Sequence, residues 1–164
     1  MDHAPPRRVS ADCRCETVVL ELEIAAPPTK VWKAITTDLG KWWLPDFHCA
    51  PGSKGIRMEP KPGGRVFETD GKGGGLLWYS ITALQKGKSI TMVGHFGPPF
   101  GGPVTSLLTW SLAKSDRGTR FTLADYLFGV VSPALVQQVE SGWRRLFEEG
   151  MRQYVERKPR RSRA

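Results

Sequence analysis

The first regular pattern of the chain alternates apolar and charged positions. In T-V-V-L-E-L-E-I, residues 17–24, every even-numbered position is apolar, and two of the odd-numbered positions between them are glutamates. The apolar positions are Val18, Leu20, Leu22 and Ile24. A period of two is typical of a strand with one buried face, and the proline pair at 27–28 ends it. The next segment, T-K-V-W-K-A-I-T, has helical spacing, and we expect a second short helical turn after it.

Between residues 53 and 128 apolar runs alternate with glycine- and proline-rich turns. The runs are K-G-I-R-M-E, G-R-V-F-E-T, L-L-W-Y-S-I-T-A-L, S-I-T-M-V-G-H-F, V-T-S-L-L-T-W-S-L and T-R-F-T-L-A-D-Y-L-F. Short connections join antiparallel neighbours, so these six strands and the first one predict a curved antiparallel sheet of about seven strands. The pattern leaves open which side chains face the interior, because a single bulge reverses the parity of a strand.

The last apolar pattern predicts one long amphipathic helix. Ser132 and Pro133 suit its N-cap and its first turn. Apolar side chains follow at steps of three or four residues, at Val136, Val139, Trp143, Phe147, Met151 and Tyr154. Such a stripe covers one face of a sheet. We therefore expect an α+β fold in which the sheet wraps round this C-terminal helix, with two short helices after the first strand.

Two tryptophans stand side by side in the predicted second short helix. Consecutive side chains on a helix point about 100° apart, so Trp42 and Trp43 cannot both occupy the centre of one buried face. Either both pack on the body of the fold, or one anchors the short helix while the other covers the entrance of a pocket.

The length of 164 residues fits one domain. We expect an irregular arm at residues 1–16, a single folded domain at 17–157 and a tail at 158–164. Five of the eight net positive charges fall in the last eight residues, R-K-P-R-R-S-R-A. A polar basic end of this kind is typical of a disordered, solubilising tail, so the charge predicts no specific nucleic-acid partner.

The chain lacks the apolar segments of secreted and membrane proteins. No apolar run approaches the roughly eighteen residues that span a bilayer, and the first residues do not resemble a signal peptide. The three cysteines, Cys13, Cys15 and Cys49, do not form the repeated C-x-x-C pattern of zinc sites. We expect a cytoplasmic protein with reduced cysteines, no membrane insertion, no metal and no cofactor.

The order of motifs resembles the SRPBCC superfamily, the helix-grip or START-like fold. More narrowly, it resembles the family named after the activator of the heat-shock-protein-ninety ATPase. The resemblance covers about residues 16–157. The matching pieces are I-A-A-P-P-T-K-V-W-K-A-I-T-T-D at 24–38, P-K-P-G-G-R-V-F at 60–67, L-T-W-S-L at 108–112, G-T-R-F-T-L at 118–123 and S-G-W-R-R-L at 141–146.

This resemblance implies an elongated apolar cavity between the sheet and the long helix, entered near the short helices and the strand-connecting loops. One departure concerns Asp125, which stands where relatives commonly carry a histidine two residues after the T-x-x-T-L core of a strand. Any polar contact at that point therefore differs in charge. The co-chaperone that names the family also has an amino-terminal chaperone-binding domain, for which we expect no room here.

The aromatic side chains of this region either fill the cavity or line it. As candidate contacts for a flat or greasy ligand we name Trp42, Trp43, Trp78, Phe100, Trp110, Tyr126, Trp143, Phe147 and Met151. Phe100 lies in the loop G-P-P-F-G-G-P, where an apolar tip is a candidate lid. The sequence thus favours binding of a small hydrophobic or amphipathic molecule, such as a lipid or polyketide, without turnover.

Two other functions stay open. A cyclase- or hydrolase-like enzyme could use His95 with Asp125 or Glu68 as acid and base, as some relatives do in this cavity. No specific catalytic signature supports this alternative. A chaperone-activator-like interaction module would instead need an exposed groove. A weak homodimer is compatible with the sequence, and we do not expect a chaperone partner.

Overall fold

A seven-stranded antiparallel sheet forms the body of the protein. The computed structural model describes residues 9–157, and its strands follow the order β1-β7-β6-β5-β4-β3-β2. They are β1 Arg14–Ile24, β2 Ile56–Met58, β3 Arg65–Thr69, β4 Gly75–Gln85, β5 Ser89–Phe96, β6 Val104–Ser115 and β7 Gly118–Gly129. The six-strand meander predicted from the turns is confirmed, and β1 joins it by pairing with β7. The fold is the predicted α+β helix-grip fold.

Two short helices follow β1 and one long helix ends the described chain. The short ones are α1 Pro28–Ile35 and α2 Leu39–Trp42. The long helix consists of α3 Pro133–Arg145, a π-helical segment Leu146–Arg152 and a last turn α4 Gln153–Glu156. Ser132 caps α3 by accepting a hydrogen bond of 3.1 Å from the backbone N–H of Leu135. No helix within residues 9–157 has the length and apolar character needed to cross a membrane.

The ends of the predicted domain differ slightly from the structure. Strand β1 begins at Arg14, three residues before the expected boundary, because its pairing with β7 extends as far as Gly129. The backbone of residues 9–13 is irregular. Residues 1–8 of the predicted arm and the predicted tail at 158–164 lie outside the described part of the chain.

One face of the sheet packs on the helices and the other faces solvent. On β1 the buried positions are Val18, Leu20, Leu22 and Ile24, as the alternation predicts. On β7 the odd positions from Thr119 to Leu127 are buried. On β6 the even positions from Val104 to Leu112 are buried. The inner face of the central strands is therefore mainly apolar, with polar side chains at Ser106, Thr119 and Asp125.

Aromatic rings fill one end of the space between the sheet and the long helix. The ring of Phe147 lies 4.7 Å from Phe121, 5.3 Å from Trp110 and 5.4 Å from Trp42, measured between centroids. A second, smaller apolar cluster lies near the start of α3 and contains Val104, Leu127, Val131 and Leu135. The solid part of the core is thus concentrated around the π-helical segment.

The π-helical segment brings two pairs of adjacent residues onto the buried side of the helix. Leu146, Phe147, Gly150 and Met151 are all buried. At Gly150 a Cβ atom would lie 2.7 Å from the carbonyl oxygen of Trp42 and 3.1 Å from its indole Cε3. Glycine therefore permits the close approach of α2 to the long helix.

Substitution of Gly150 tests this close packing. We expect Gly150→Ala to lower the free energy of unfolding by about 1–2 kcal/mol, because the overpacking exceeds the gain in helix propensity. The matched control is Gly142→Ala in α3, where a Cβ would meet nothing nearer than Phe47 Cε1 at 3.9 Å. That variant should be as stable as the parent or more stable in urea unfolding. Equal effects of the two substitutions would contradict this assignment.

Candidate functional site

A cavity of about 680 Å³ lies between the inner face of the sheet and the amino-terminal part of the long helix. Strands β3 to β7 form its floor, α3 forms its roof, and the segment after α2 and the β5–β6 connection form its sides. The principal apolar lining residues are Trp43, Phe47, Val66, Trp78, Tyr79, Phe96, Phe100, Val104, Trp110, Leu127, Leu135, Val139, Trp143 and Leu146. Its size is that of a typical small-molecule site, for which ~300–1,000 Å³ is usual.

Three aromatic rings form one wall of the cavity. Trp78 lies 6.0 Å from Phe96 and 5.8 Å from Phe100, and Phe96 lies 6.0 Å from Phe100. The distances and tilted geometries are typical of favourable aromatic contacts. This packing fixes Phe100 on the turn Pro98–Phe100, so the apolar loop tip lies against the cavity.

A β-bulge places two consecutive residues of β4 at the cavity. In the pairing of β3 with β4, Val66 is opposite Tyr79 while Phe67 is opposite Leu77, so Trp78 is the extra residue. A bulge redirects a side chain that regular alternation would point to the other face. Trp78 and Tyr79 therefore both line the cavity.

A chain of polar side chains lies on the floor of this otherwise apolar space. The hydroxyl of Tyr79 lies 3.2 Å from Ser106 Oγ, and Ser106 donates to Asp125 Oδ1 at 2.5 Å. Trp143 donates its indole N–H to the other oxygen, Oδ2, at 2.9 Å. Asp125 is only 2% exposed, so its carboxyl group depends on these two donors. The chain joins three strands to the long helix.

Burial changes the protonation equilibria of this polar chain. It raises the pKa of Asp125 above the ordinary value of 3.8, and the hydrogen bonds from Ser106 and Trp143 oppose the rise only in part. Burial also raises the pKa of Tyr79, an effect that the nearby Asp125 strengthens. The Tyr79 phenol is therefore neutral across the physiological range and remains available as a hydrogen-bonding group.

The indole of Trp110 contributes an unpaired donor. Trp110 lines the cavity and is 2% exposed. Its Nε1 atom is buried and has no hydrogen-bond partner among residues 9–157. A buried N–H without an acceptor costs about 1–3 kcal/mol.

The mouth of the cavity carries two charged lining residues, Asp46 and Arg145. Arg145 on α3 pairs with Asp46 through Nη1 at 2.5 Å and with Glu149 through Nε at 3.3 Å. Its guanidinium also lies 5.4 Å from the ring centroid of Phe47. The contacts with Asp46 and Phe47 hold the turn Pro45–Phe47 against the helix at the edge of the cavity.

Glu68 lies behind the aromatic wall and supports it. Its carboxylate accepts hydrogen bonds from the indole N–H of Trp78 at 2.8 Å and from the backbone N–H of Cys49 at 3.1 Å. A further bond of 3.3 Å comes from the N–H of Ala50. Burial raises the pKa of Glu68, but these bonds and one from Ser53 outweigh it, so the net shift is below the ordinary value of 4.5.

The structure brings half of the sequence-predicted candidates to the cavity. The candidates that line it are Trp43, Trp78, Phe100, Trp110, Trp143 and Asp125. Trp42, Phe147 and Met151 lie instead in the solid core. Trp42 is 4% exposed and donates its indole N–H to the carbonyl of Ala34 at 2.8 Å, while Trp43 is half-buried at the cavity.

Two of the remaining candidates lie on the outer face of the sheet. Tyr126 is 39% exposed, because it follows Asp125 on a regular strand and so points away from it. His95 is exposed and bonds through Nδ1 to Thr105 Oγ1 at 3.0 Å. The expected pairing of His95 with Asp125 or Glu68 is therefore not assembled. Glu68 is buried at 1% exposure but does not line the cavity.

Sequence reasoning missed several polar residues of the site, among them Tyr79, Ser106 and Arg145. Tyr79 was hidden by the bulge at Trp78, and Arg145 reaches the cavity mouth although it belongs to the polar side of the predicted helix. Ser106 had a usable signal, since it shares its parity on β6 with Trp110. Within residues 9–157 no group of three or more His, Cys, Asp or Glu side chains has the arrangement of a metal site.

The buried carboxylates of Glu68 and Asp125 predict opposite pH dependences of stability. The pKa of Glu68 is lowered, so its stabilising effect is present above about pH 4.5 and is lost as the pH falls through its folded-state pKa. The pKa of Asp125 is raised, so its contribution is fully present below about pH 3.8 and is lost as the pH rises through its folded-state pKa.

We expect Glu68→Gln to cost about 1.5–3 kcal/mol at neutral pH, with a smaller cost in acid, because it removes an ionised acceptor. For Asp125→Asn we expect the stability relative to the parent to improve as the pH rises. Urea unfolding of the three proteins at about pH 4 and about pH 7 measures both trends. The same pH trend in both variants would contradict the assigned shifts.

Several solved structures have the same fold as this protein. A protein of Mesorhizobium loti, MLL2253, is 24% identical, with 88% of this chain and 99% of that chain covered and a TM-score of 0.64. A Rhizobium leguminosarum protein is 18% identical, with 90% and 98% covered and a TM-score of 0.67. DynU16, a protein of the dynemicin biosynthetic locus, is 17% identical, with 85% and 47% covered and a TM-score of 0.61. These similarities establish the shared fold.

No curated protein matches the sequence significantly. The sequence model of the Activator of Hsp90 ATPase homolog 1-like protein family matches residues 25–156, which include both short helices, six of the seven strands and the long helix. The chain therefore belongs to the Activator of Hsp90 ATPase homolog 1-like family of the SRPBCC superfamily, as the order of its motifs predicts.

Proposed function

We propose that the protein binds a small hydrophobic or amphipathic molecule in the cavity between the sheet and α3, without chemical turnover. The observation that carries the proposal is a space of about 680 Å³ that stays open although large aromatic side chains surround it. Protein interiors are normally packed to the density of organic crystals. A space of this size with an apolar lining is therefore best explained by an occupant.

The distribution of polarity supports an amphipathic or apolar ligand. The wall of Trp78, Phe96 and Phe100 offers flat apolar surfaces. The polar groups lie on the buried floor, at the mouth near Arg145 and at Gln138 and Ser141 of α3. Such an arrangement suits a molecule whose body is apolar and whose few polar atoms have fixed positions.

Trp43 and Phe47 provide the means of entry. Trp43 is half-buried, and its indole N–H makes only a long hydrogen bond of 3.4 Å to the carbonyl of Phe47. The Arg145–Asp46 ion pair that holds this segment is solvent-exposed, and an exposed pair contributes only about 0–1 kcal/mol. In this proposal the segment acts as a gate, while the buried Trp42 anchors it.

Binding receives more support than the two alternatives. The described lining residues include no histidine, so the acid/base scheme that relied on His95 loses its proposed base. The chaperone-activator alternative needs an exposed groove on the surface, whereas the aromatic rings described above line a concave space between the sheet and α3. We keep ligand binding as the proposed function.

Filling the cavity tests the proposal. N-phenyl-1-naphthylamine, a neutral apolar probe, should bind the parent protein with increased fluorescence. We expect Val139→Phe to weaken this binding at least about tenfold, because Val139 lines the cavity and the larger ring occupies it. Fluorescence titration measures the dissociation constant.

The matched control is Val136→Phe on the same helix. Val136 is also half-buried and packs on the same apolar cluster, but it does not line the cavity. The control variant should bind the probe like the parent, and native mass spectrometry of the freshly purified parent should show a bound mass. Probe binding that is equal in both variants, or absent in the parent, would overturn the proposal.

A further inference from the structure

The polar chain on the cavity floor has unused hydrogen-bonding capacity. An ionised carboxylate can accept about four hydrogen bonds, and Asp125 receives two, from Ser106 and Trp143. Since Ser106 gives its single hydrogen to Asp125, the Tyr79 hydroxyl must donate to Ser106 and keeps its own oxygen as an acceptor. Tyr79, Ser106 and Asp125 all line the cavity. An ionised chain thus offers acceptors to a ligand.

The neutral form of the same chain offers a donor as well. A protonated Asp125 carries one O–H, which it can donate in a hydrogen bond to Ser106 Oγ. Ser106 then donates its own hydrogen to the Tyr79 oxygen, so both hydrogen bonds of the chain reverse direction. The Tyr79 hydroxyl can then donate into the cavity. A ligand group that both donates and accepts hydrogen bonds matches either form, whereas a group that only accepts does not.

The charges of the lining disfavour an anionic ligand. The ionisable side chains include two carboxylates, Asp46 and Asp125, and one cation, Arg145. The cation is already paired with Asp46 and Glu149 at the mouth. A ligand carboxylate on the floor would meet Asp125 without a cation to compensate it, which is costly at a buried position.

We propose that the cavity selects an uncharged, mainly apolar alcohol or phenol, whose hydroxyl group binds at the Tyr79–Ser106–Asp125 chain, and that it rejects the corresponding carboxylate. This inference rests on the proposed binding function and specifies the class of ligand. The hydroxyl donates to the free oxygen positions of the ionised chain or accepts from the Tyr79 hydroxyl of the neutral chain, and the apolar body fills the space beside Trp78 and Phe100.

Three molecules of similar shape test this selectivity. Naphthalene, 2-naphthol and 2-naphthoate are titrated at about pH 7 against protein loaded with N-phenyl-1-naphthylamine. We expect 2-naphthol to displace the probe about three- to tenfold more tightly than naphthalene, as one net hydrogen bond allows. We expect 2-naphthoate to bind at least about tenfold more weakly than 2-naphthol. Equal affinities of the three molecules would overturn the inference.

Two variants test whether the polar chain on the cavity floor causes the preference for 2-naphthol. Asp125→Asn should raise the affinity for 2-naphthoate at least about fivefold, because it removes the buried acid. Tyr79→Phe should reduce the preference for 2-naphthol over naphthalene, because it removes the hydroxyl that faces the ligand. The matched control is Tyr126→Phe, which removes the same hydroxyl from the outer face. If Tyr79→Phe and Tyr126→Phe behave alike, the proposed role of the floor is wrong.

The outcomes separate this inference from the proposed function. If the fluorescent probe itself fails to bind the parent, ligand binding in the cavity is wrong and the ligand class falls with it. If the probe binds and the hydroxyl gives no advantage, binding stands and only the ligand class is wrong. Probe binding without displacement by any of the three molecules also contradicts the ligand class.

Discussion

The packing of Phe147 against four aromatic rings determines where the long helix meets the sheet. Phe121, Trp110 and Trp42 surround it, and Trp143 lies 5.9 Å away on the preceding turn. These contacts fill the space below the π-helical segment. Because close packing is concentrated there, the amino-terminal part of α3 spans the inner face without filling it. The cavity is therefore a consequence of a core that is complete at one end only.

The polar chain on the cavity floor both stabilises the fold and provides the polar groups of the cavity. A carboxyl group as buried as Asp125 is costly unless donors reach it. One donor comes from β6 and the other from the long helix, so the Trp143–Asp125 bond also ties the roof of the cavity to its floor. The position of Asp125 is thus fixed by hydrogen bonds from a central strand and from the long helix.

Much of the fold could be predicted from the sequence because its signals are local. Alternation identified the strands, turn residues separated them, and Ser132 marked the start of α3. The site was harder to predict because it depends on side-chain direction. Asp125 and Tyr126 were both named, although adjacent residues on a regular strand face opposite sides. The bulge at Trp78, which brings Tyr79 into the cavity, leaves no mark in the hydrophobic pattern.

The two adjacent tryptophans differ in how firmly their surroundings hold them. Trp42 is enclosed by Phe147 and by the close approach to Gly150, and its indole N–H is satisfied by Ala34. Moving it would open the core. Trp43 packs on Trp42 at a centroid distance of 5.7 Å, but its segment is otherwise held by one exposed ion pair and one cation–π contact, and such contacts are individually weak. This is why we propose the segment from Trp43 to Phe47 as the gate, whereas the aromatic wall on the other side is supported by buried Glu68.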